Sequence, residues 1–267
     1  MVANILSIAG SDPSGGAGVQ ADLKTIGACG GYGMAALTAL TAQNTQGVQG
    51  VSLVEPAFVA HQIRAVFEDV RVDAVKIGMI ATASIAHAVA ETLGDLRAAN
   101  VVLDPVMVAT SGDRLLSDDA VAAVRDRLAP LARVITPNTD EAGVLLGEPR
   151  PTDRAGMADA GRRLLALGVE AVLLKGGHLT DDAASPDVLV TAQGVTWLDA
   201  PRAPGRVVHG GGCSFASALA TGLGKGLSPE EAAVEAKAFI TAAIEGADLL
   251  TVGSGSRPLD HFTAHRM

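Results

Sequence analysis

The sequence predicts an α/β protein, a three-layer α/β/α sandwich on a mainly parallel central sheet. Short apolar runs recur along the chain, segments of helical period separate them, and glycine-rich or acidic turns follow the runs. Continuous apolar runs suit strands buried on both faces, which parallel strands with crossover helices require. In order, Ile5–Ala9, Ala74–Ile77, Val101–Leu103, Val134–Ile135, Ala171–Leu174 and Val188–Val190 are the expected strands. A helix through Asp22, Leu23 and Ile26 follows the first of them. Val59, Ile63, Val66, Phe67 and Val70 fall at i, i+4, i+7, i+8 and i+11, so a helix is expected over 56–69. Thr180–Pro186 has the composition of a surface loop, and Ala192-Gln193-Gly194 that of a hairpin turn. Ser228-Pro229-Glu230-Glu231 combines an N-cap serine, proline at N1 and glutamate at N3, the start of a helix expected to run to about Glu245. No repeat, linker or shift in composition divides the chain, so residues 1–267 are expected to form one domain.

Composition narrows the function. The chain carries 20 Lys and Arg against 29 Asp and Glu, a formal charge of −9, so no global field draws it to nucleic acid or anionic lipid. Aromatic residues make up 3%, too few for a base-stacking platform. The most apolar stretch, Met34–Ala42, is too short to span a bilayer, and the N-terminus lacks the basic start of a signal peptide. A cytoplasmic protein is expected, without membrane or nucleic-acid partners. Cys29 and Cys213 are too few and too distant for a disulfide framework, and no zinc-type spacing is present. Any metal is expected on oxygen ligands.

Ligands of open α/β sheets bind beyond the carboxyl ends of the strands, so four strand-end motifs carry the functional weight. Gly10-Ser11-Asp12-Pro13-Ser14-Gly15-Gly16-Ala17-Gly18 follows the first strand. It is neither a Walker A loop nor G-x-G-x-x-G, and it reads equally as a permissive strand-to-helix turn. Asp104-Pro105-Val106-Met107 puts a carboxylate at a strand end, and Thr136-Pro137-Asn138-Thr139-Asp140-Glu141 puts Asn138 and Glu141 on one face of a first helical turn. Two oxygen-rich strand ends suit Mg²⁺ shared with nucleotide phosphates; the competing reading makes Asn138 an N-cap with Glu141 at N3. Lys175-Gly176-Gly177-His178 can set an ammonium on a phosphate, or leave a lysine snorkelling to the surface. His209-Gly210-Gly211-Gly212-Cys213 precedes an Ala/Leu-rich helix, so glycine amides and the helix dipole would form an anion hole. Cys213 would then lie at a helix N-terminus, where thiol pKa values are depressed; a buried packing cysteine is the alternative.

These motifs carry a resemblance. Ile8 through Gly18 with Gln20-Ala21-Asp22-Leu23-Lys24-Thr25 resembles the N-terminal motif of the hydroxymethylpyrimidine/phosphomethylpyrimidine kinases of thiamine biosynthesis. Gly31-Tyr32-Gly33-Met34, Thr38 to Thr45, Val75-Lys76-Ile77-Gly78-Met79, Asp104 to Met107, Ser111-Gly112, Thr136-Pro137-Asn138, Lys175 to His178 and His209 to Cys213 match in the same order over the whole chain. The resemblance implies a ribokinase-like fold that transfers the ATP γ-phosphoryl group to 4-amino-5-hydroxymethyl-2-methylpyrimidine and then to its monophosphate. It implies Gln43 hydrogen-bonding the pyrimidine with Gly10, Asp22, Met79 and Val106 around it. Asp104 and Glu141 fall on Mg²⁺-associated positions, Lys175 and Asn138 on the ATP side, and Cys213 on the base position beside the amides of Gly210, Gly211 and Gly212. ATP and Mg²⁺ are the implied cofactors, and a homo-oligomer, a dimer, the implied assembly. The usual Asn-Thr-His-Gly-Thr-Gly-Cys reads Val207-Val208-His209-Gly210-Gly211-Gly212-Cys213 here, so a threonine hydroxyl and an upstream polar pair are missing while the backbone amides remain.

Two other functions are consistent with these residues: a pyridoxal- or pyridoxine-type kinase of the same fold, and a pyrimidine-binding sensor without catalysis. A dinucleotide-dependent dehydrogenase is disfavoured, because Gly31-Tyr32-Gly33 precedes an apolar run rather than a helix.

Overall fold

A computed structural model describes residues 1–107, 116–177, 179, 184–202 and 208–263. The elements are, in order, β1 (Asn4–Ala9), α1 (Gly18–Ala28), β2 (Tyr32–Leu37), β3 (Ala39–Asn44), β4 (Gly47–Leu53), α2 (Pro56–Asp69), β5 (Ala74–Ile77), α3 (Ala83–Asp95), β6 (Val101–Leu103), α4 (Asp118–Ala123), β7 (Val134–Ile135), α5 (Thr139–Leu146), α6 (Arg154–Leu164), β8 (Ala171–Lys175), β9 (Asp187–Thr191), β10 (Gly194–Leu198), β11 (Val208–His209), α7 (Gly211–Gly224), α8 (Pro229–Gly246) and β12 (Arg257–Pro258). The main sheet runs β10-β9-β8-β7-β6-β5-β1-β2. Its pairs from β2 to β8 are parallel, and β9 and β10 join as antiparallel strands at the β8 edge.

The expected three layers follow from alternation within the strands. Leu6, Ile8, Val75, Ile77, Val101 and Leu103 pack with Val59, Ile63, Ile85, Val89 and Leu93 from α2 and α3 on one face. Their neighbours in sequence, Ile5, Ala74 and Val102, pack with Ile26, Phe215, Leu219, Ala232 and Ile240 from α1, α7 and α8 on the other. The two-residue alternation thus fills two cores from one strand, which is why these runs are apolar throughout.

The six expected strands are found, with ends moved by at most a residue, and α2 covers 56–69 as its spacing predicts. Ser228 caps α8 in a full capping box with Glu231, and β9 and β10 form the expected hairpin about Ala192-Gln193. Three features lay outside the sequence reading. The apolar stretch Met34–Ala42 divides at Thr38, whose N–H donates to Ala9 O at 3.1 Å and whose hydroxyl donates to Met79 O at 2.7 Å. Before it β2 completes the main sheet; after it β3 pairs with β4 in a separate two-stranded sheet, with a register shift between Ala42 and Gln43. The parallel pair β11 and β12 also escapes a pattern reading, since two residues carry no period. Of the expected loop Thr180–Pro186, residues 180–183 lie outside the described residues. No helix among the described residues is long and apolar enough to cross a membrane.

Under the carboxyl end of β1 lies a fully buried ion pair. Lys76 Nζ on β5 donates to both oxygens of Asp22 on α1 at 2.9 Å, and Ser7 on β1 and Ser217 on α7 add hydroxyl bonds to Asp22 at 2.6 and 2.8 Å. Burial opposes the lysine's charge and Asp22 outweighs it, so its pKa is raised. Breaking such a pair strands one buried charge, whereas replacing both partners removes the penalty. Lys76→Met alone is therefore expected to lower unfolding free energy by about 3–5 kcal/mol in urea titration, and Lys76→Met with Asp22→Leu to regain most of it. A double variant no more stable than the single one would contradict this account.

Candidate active site

The carboxyl ends of β1, β5, β6, β7 and β8 open into one cavity of about 1100 Å³, at the point where the chain turns from β1 to strands on either side of it. Gly10, Gln43, Met79 and Val106 line one part of it, and Asn138 and Lys175 another. Asp104, Glu141, Gly210, Gly211, Gly212 and Cys213 lie on its wall as well. Asp22 does not. The sequence reading put it beside the pyrimidine; it is instead the fully buried partner of Lys76, because strand β5 offers a lysine whose charge has no other counter-ion at hydrogen-bond distance. His178, Ser111-Gly112 and Val207 lie outside the described residues.

Asn138 and Glu141 satisfy both of their readings. Asn138 Oδ1 accepts the Glu141 N–H and Glu141 Oε2 accepts the Asn138 N–H, each at 2.8 Å, so they close a capping box on α5. That box also holds Glu141 on the cavity wall beside Lys175, whose Nζ is 3.9 Å from Glu141 Oε2. Lys175 Nζ donates to Asp104 Oδ1 at 2.7 Å, and the Thr136 hydroxyl donates to the same oxygen at 3.0 Å. Burial opposes the lysine's charge, but Asp104 and Glu141 raise its pKa; burial pushes the Glu141 carboxyl up to about 7.

The other oxygen of Asp104, Oδ2, is buried without a hydrogen-bond partner among the described residues. An orphaned carboxylate oxygen beside a second carboxylate and an open cavity fits a hard cation that takes oxygen ligands, keeps several waters and shares phosphate oxygens. Mg²⁺ fits this donor set.

Opposite these groups, Gly210 caps α7 in the left-handed region with φ +82°, and a Cβ there would overlap the Gly16 carbonyl oxygen. Only glycine allows the loop after β1 and the start of α7 to touch. A Cβ on Gly212 would lie 3.1 Å from Lys175 Nζ and 3.5 Å from Asp104 Oδ2, so the first turn of α7 faces the cation-binding side. Among the described residues a Cβ on Gly211 would meet only Val208 Cγ2, at 3.6 Å, an ordinary contact distance.

Cys213 departs from the sequence reading. A helix N-terminus favours a thiolate, yet burial pushes this thiol up to about 11. Lys76 and the Gly18 N–H favour the thiolate, while Asp22 and Asp104 oppose it and burial decides. Several wall residues were not assigned a role from sequence. Asp12 and His209 stood inside quoted motifs without one; Thr41 lies on β3. On the far wall Lys237 Nζ of α8 donates to Asp187 Oδ2 at 2.6 Å and to Ser185 O at 2.8 Å. The signal for Lys237 was available: it interrupts the apolar stripe Ala233, Ala236, Ile240 of its helix.

With its proton on at neutral pH, Cys213 is expected to react slowly with iodoacetamide in the free protein. The rate should climb tenfold per pH unit toward an apparent pKa of about 11. A plateau near pH 7 would show a thiolate instead.

Known proteins agree with this geometry. The family model described as phosphomethylpyrimidine kinase matches residues 12–260. Hydroxymethylpyrimidine/phosphomethylpyrimidine kinases of Salmonella typhimurium and Escherichia coli are 52% and 51% identical over 261 residues, 98% of this chain and of each relative. Among solved structures, a Clostridium difficile phosphomethylpyrimidine kinase superposes with TM-score 0.81 at 40% identity, covering 91% of this chain and 99% of its own. A Bacillus subtilis pyridoxal kinase in its ADP complex superposes with TM-score 0.91 at 34% identity over the whole of both chains. A family model spanning residues 12–260, with relatives matched at half of all positions over nearly the full length, places this chain in the phosphomethylpyrimidine kinase family.

Proposed function

We propose that this chain is an ATP-dependent kinase that phosphorylates 4-amino-5-hydroxymethyl-2-methylpyrimidine and then its monophosphate. The observation that carries the reading is the cavity itself. It joins an amide-bearing, apolar pocket of Gln43, Met79 and Val106 to a phosphate-binding wall of Lys175 and the start of α7. Pyrimidine kinases also share more identity with this chain than the pyridoxal kinase does, 52% against 34%.

Each residue then has a task. Gln43 holds the ring by its polar edge while Met79 and Val106 bracket its faces. Lys175 neutralises charge on the nucleotide phosphates, with Asn138 fixing the turn beside them. The amides of Gly210, Gly211 and Gly212 stabilise the transferring phosphoryl oxygens, and being preorganised they cost no rearrangement. Asp104 and Glu141 would hold Mg²⁺, which neutralises phosphate charge when bound. Cys213 faces the reacting hydroxymethyl oxygen and, as the thiolate, accepts its proton.

The exposed apolar residues Leu40, Val51 and Leu53 on the β3–β4 hairpin are the surface on which we place the homo-oligomer contact. Two unpaired thiols suit a reducing cytoplasm. The runner-up reading is a pyridoxal-type kinase, favoured by the TM-score of 0.91; relative kcat/KM on the two vitamins' precursors separates them.

Anion-exchange analysis of products formed from the hydroxymethylpyrimidine with MgATP tests the proposal, which requires the monophosphate first and the pyrophosphate after it. Gln43→Ala is expected to raise the pyrimidine KM about tenfold or more with the ATP KM little changed, since it leaves ring polar atoms unpaired. Equal effects on both substrates would make Gln43 structural. Cys213→Ala is expected to lower kcat by about 10²–10⁴-fold and to abolish any rise of kcat with pH. A near-native kcat would remove the cysteine from the proton transfer.

A further inference from the structure

Three polar side chains from separate elements meet beside Gln43. Asp12, on the loop after β1, has its Oδ2 2.9 Å from His209 Nε2 on β11. The same ring nitrogen is 3.1 Å from the Gln43 amide on β3. The other end of that amide is 3.4 Å from the Thr41 hydroxyl oxygen. His209 is held edge-on against the chain, since a Cβ on Gly16 would lie 3.5 Å from its Cγ and closer still to Cδ2.

The hydrogens in this cluster can be counted. Burial alone would raise the Asp12 carboxyl. Hydrogen bonds from His209, from Ser14 and from the Ala17 and Ser14 amides outweigh burial and hold its pKa at about 2. Asp12 therefore has no proton at neutral pH, and the hydrogen between it and His209 is on His209 Nε2. A Gln43 NH₂ group facing that nitrogen would set N–H against N–H. At the other end, the Thr41 hydroxyl donates to Ser11 O at 2.9 Å, so its oxygen has only lone pairs to offer. A Gln43 carbonyl oxygen there would face an oxygen with no hydrogen to give. Amide oxygen and nitrogen are told apart by such bookkeeping. Only one orientation avoids a clash at both contacts: Gln43 Oε1 faces His209 Nε2–H, which it shares with Asp12 Oδ2, and Gln43 Nε2 donates to Thr41 Oγ1.

We infer that His209, carrying its proton on Nε2 against Asp12, is a positioning residue that locks the Gln43 amide with a free N–H toward the cavity, and so selects substrates presenting a ring lone pair at that point. The inference rests on the kinase reading above. A 4-aminopyrimidine has an unprotonated ring nitrogen beside its amino group. The 4-oxo analogue, in its lactam form, has N–H at that nitrogen. An unlocked glutamine could turn to accept from it; a locked one cannot. Sites that bury a fixed donor discriminate strongly against ligands unable to match it.

The test compares kcat/KM for the 4-amino substrate and its 4-oxo analogue. Wild type is expected to favour the amino compound by about 100-fold or more. His209→Phe keeps the ring beside Gly16 and removes the N–H, so the preference should fall at least tenfold, through the pyrimidine KM, with the ATP KM unchanged. An unchanged preference in that variant overturns the lock. Gln43→Glu offers only acceptors and leaves His209 in place; it should reverse the preference toward the oxo analogue, and retention of the amino preference overturns the assignment even if His209→Phe does not fold. Independently of any activity, ¹⁵N NMR of the free protein should show His209 Nε2 as the protonated ring nitrogen at pH 7, and an unprotonated Nε2 overturns the inference. Failure of wild type to phosphorylate the aminopyrimidine would instead count against the kinase reading, with the NMR result still deciding the lock.

Discussion

A single buried charge pair holds the floor of the site. Lys76 and Asp22 are both fully buried, and their four hydrogen-bonding elements, β1, β5, α1 and α7, are among those whose ends line the cavity. An unpaired charge at this depth would cost several kcal/mol, so neither element can drift without stranding one. Ser217 on α7 is one turn past Cys213, which means the pair fixes the height of the helix start as well as its angle. The stiffness that catalysis needs at the phosphate wall thus originates beneath it. An apolar floor would have packed as well; the ionic one adds direction, because each serine and the ammonium must meet Asp22 at a hydrogen-bond angle.

Above that floor, two helix N-termini converge. The start of α1 supplies the Gly18 N–H to Cys213, and α7 begins at Gly210, in contact with the loop between β1 and α1. Two positive helix ends at one point would be costly with nothing between them, and the phosphoryl group of a nucleotide is the natural occupant. The same field favours a thiolate, yet burial wins at Cys213. Helix dipoles act within a turn and are worth about 1 kcal/mol or less at most sites, whereas desolvation of a buried thiolate is larger.

How much of this was legible in the sequence differs by element. The strands of the main sheet were, because burial on both faces leaves an unbroken apolar run such as Val101–Leu103. Helices with caps were, because Ser228 and Glu231 state their geometry in four residues. The β3–β4 hairpin was not: β3 alternates exposed with partly buried residues, β4 is mostly exposed, and the boundary is set by Thr38 bonding to Ala9 and Met79, far away in sequence. At the site, residues on strand ends were legible from position and resemblance. Asp22 was misplaced because its partner, Lys76, lies 54 residues away, and nothing local distinguishes a buried aspartate from a ligand-facing one. The expected depression of the Cys213 thiol pKa was reversed, because a helix terminus is visible in sequence and desolvation is not.

The division of labour between scaffold and hairpin explains how one fold can serve different heteroaromatic alcohols. Lys175, Asp104 and the start of α7 are held by the ends of the main sheet and by their mutual contacts, and in the proposed reading they serve the phosphates, which every substrate of such a kinase acquires. In the proposed reading the ring meets Gln43, which lines the cavity from a two-stranded sheet outside the main one, beside a register shift. Substitutions there alter recognition without touching the core, so recognition can change at little cost in stability. What keeps this position selective is its tether: His209 immediately precedes the α7 cap, and Asp12 lies on the loop between β1 and α1, so Gln43 is read against two rigid elements. Specificity on this hairpin is therefore borrowed from the scaffold through one ring nitrogen.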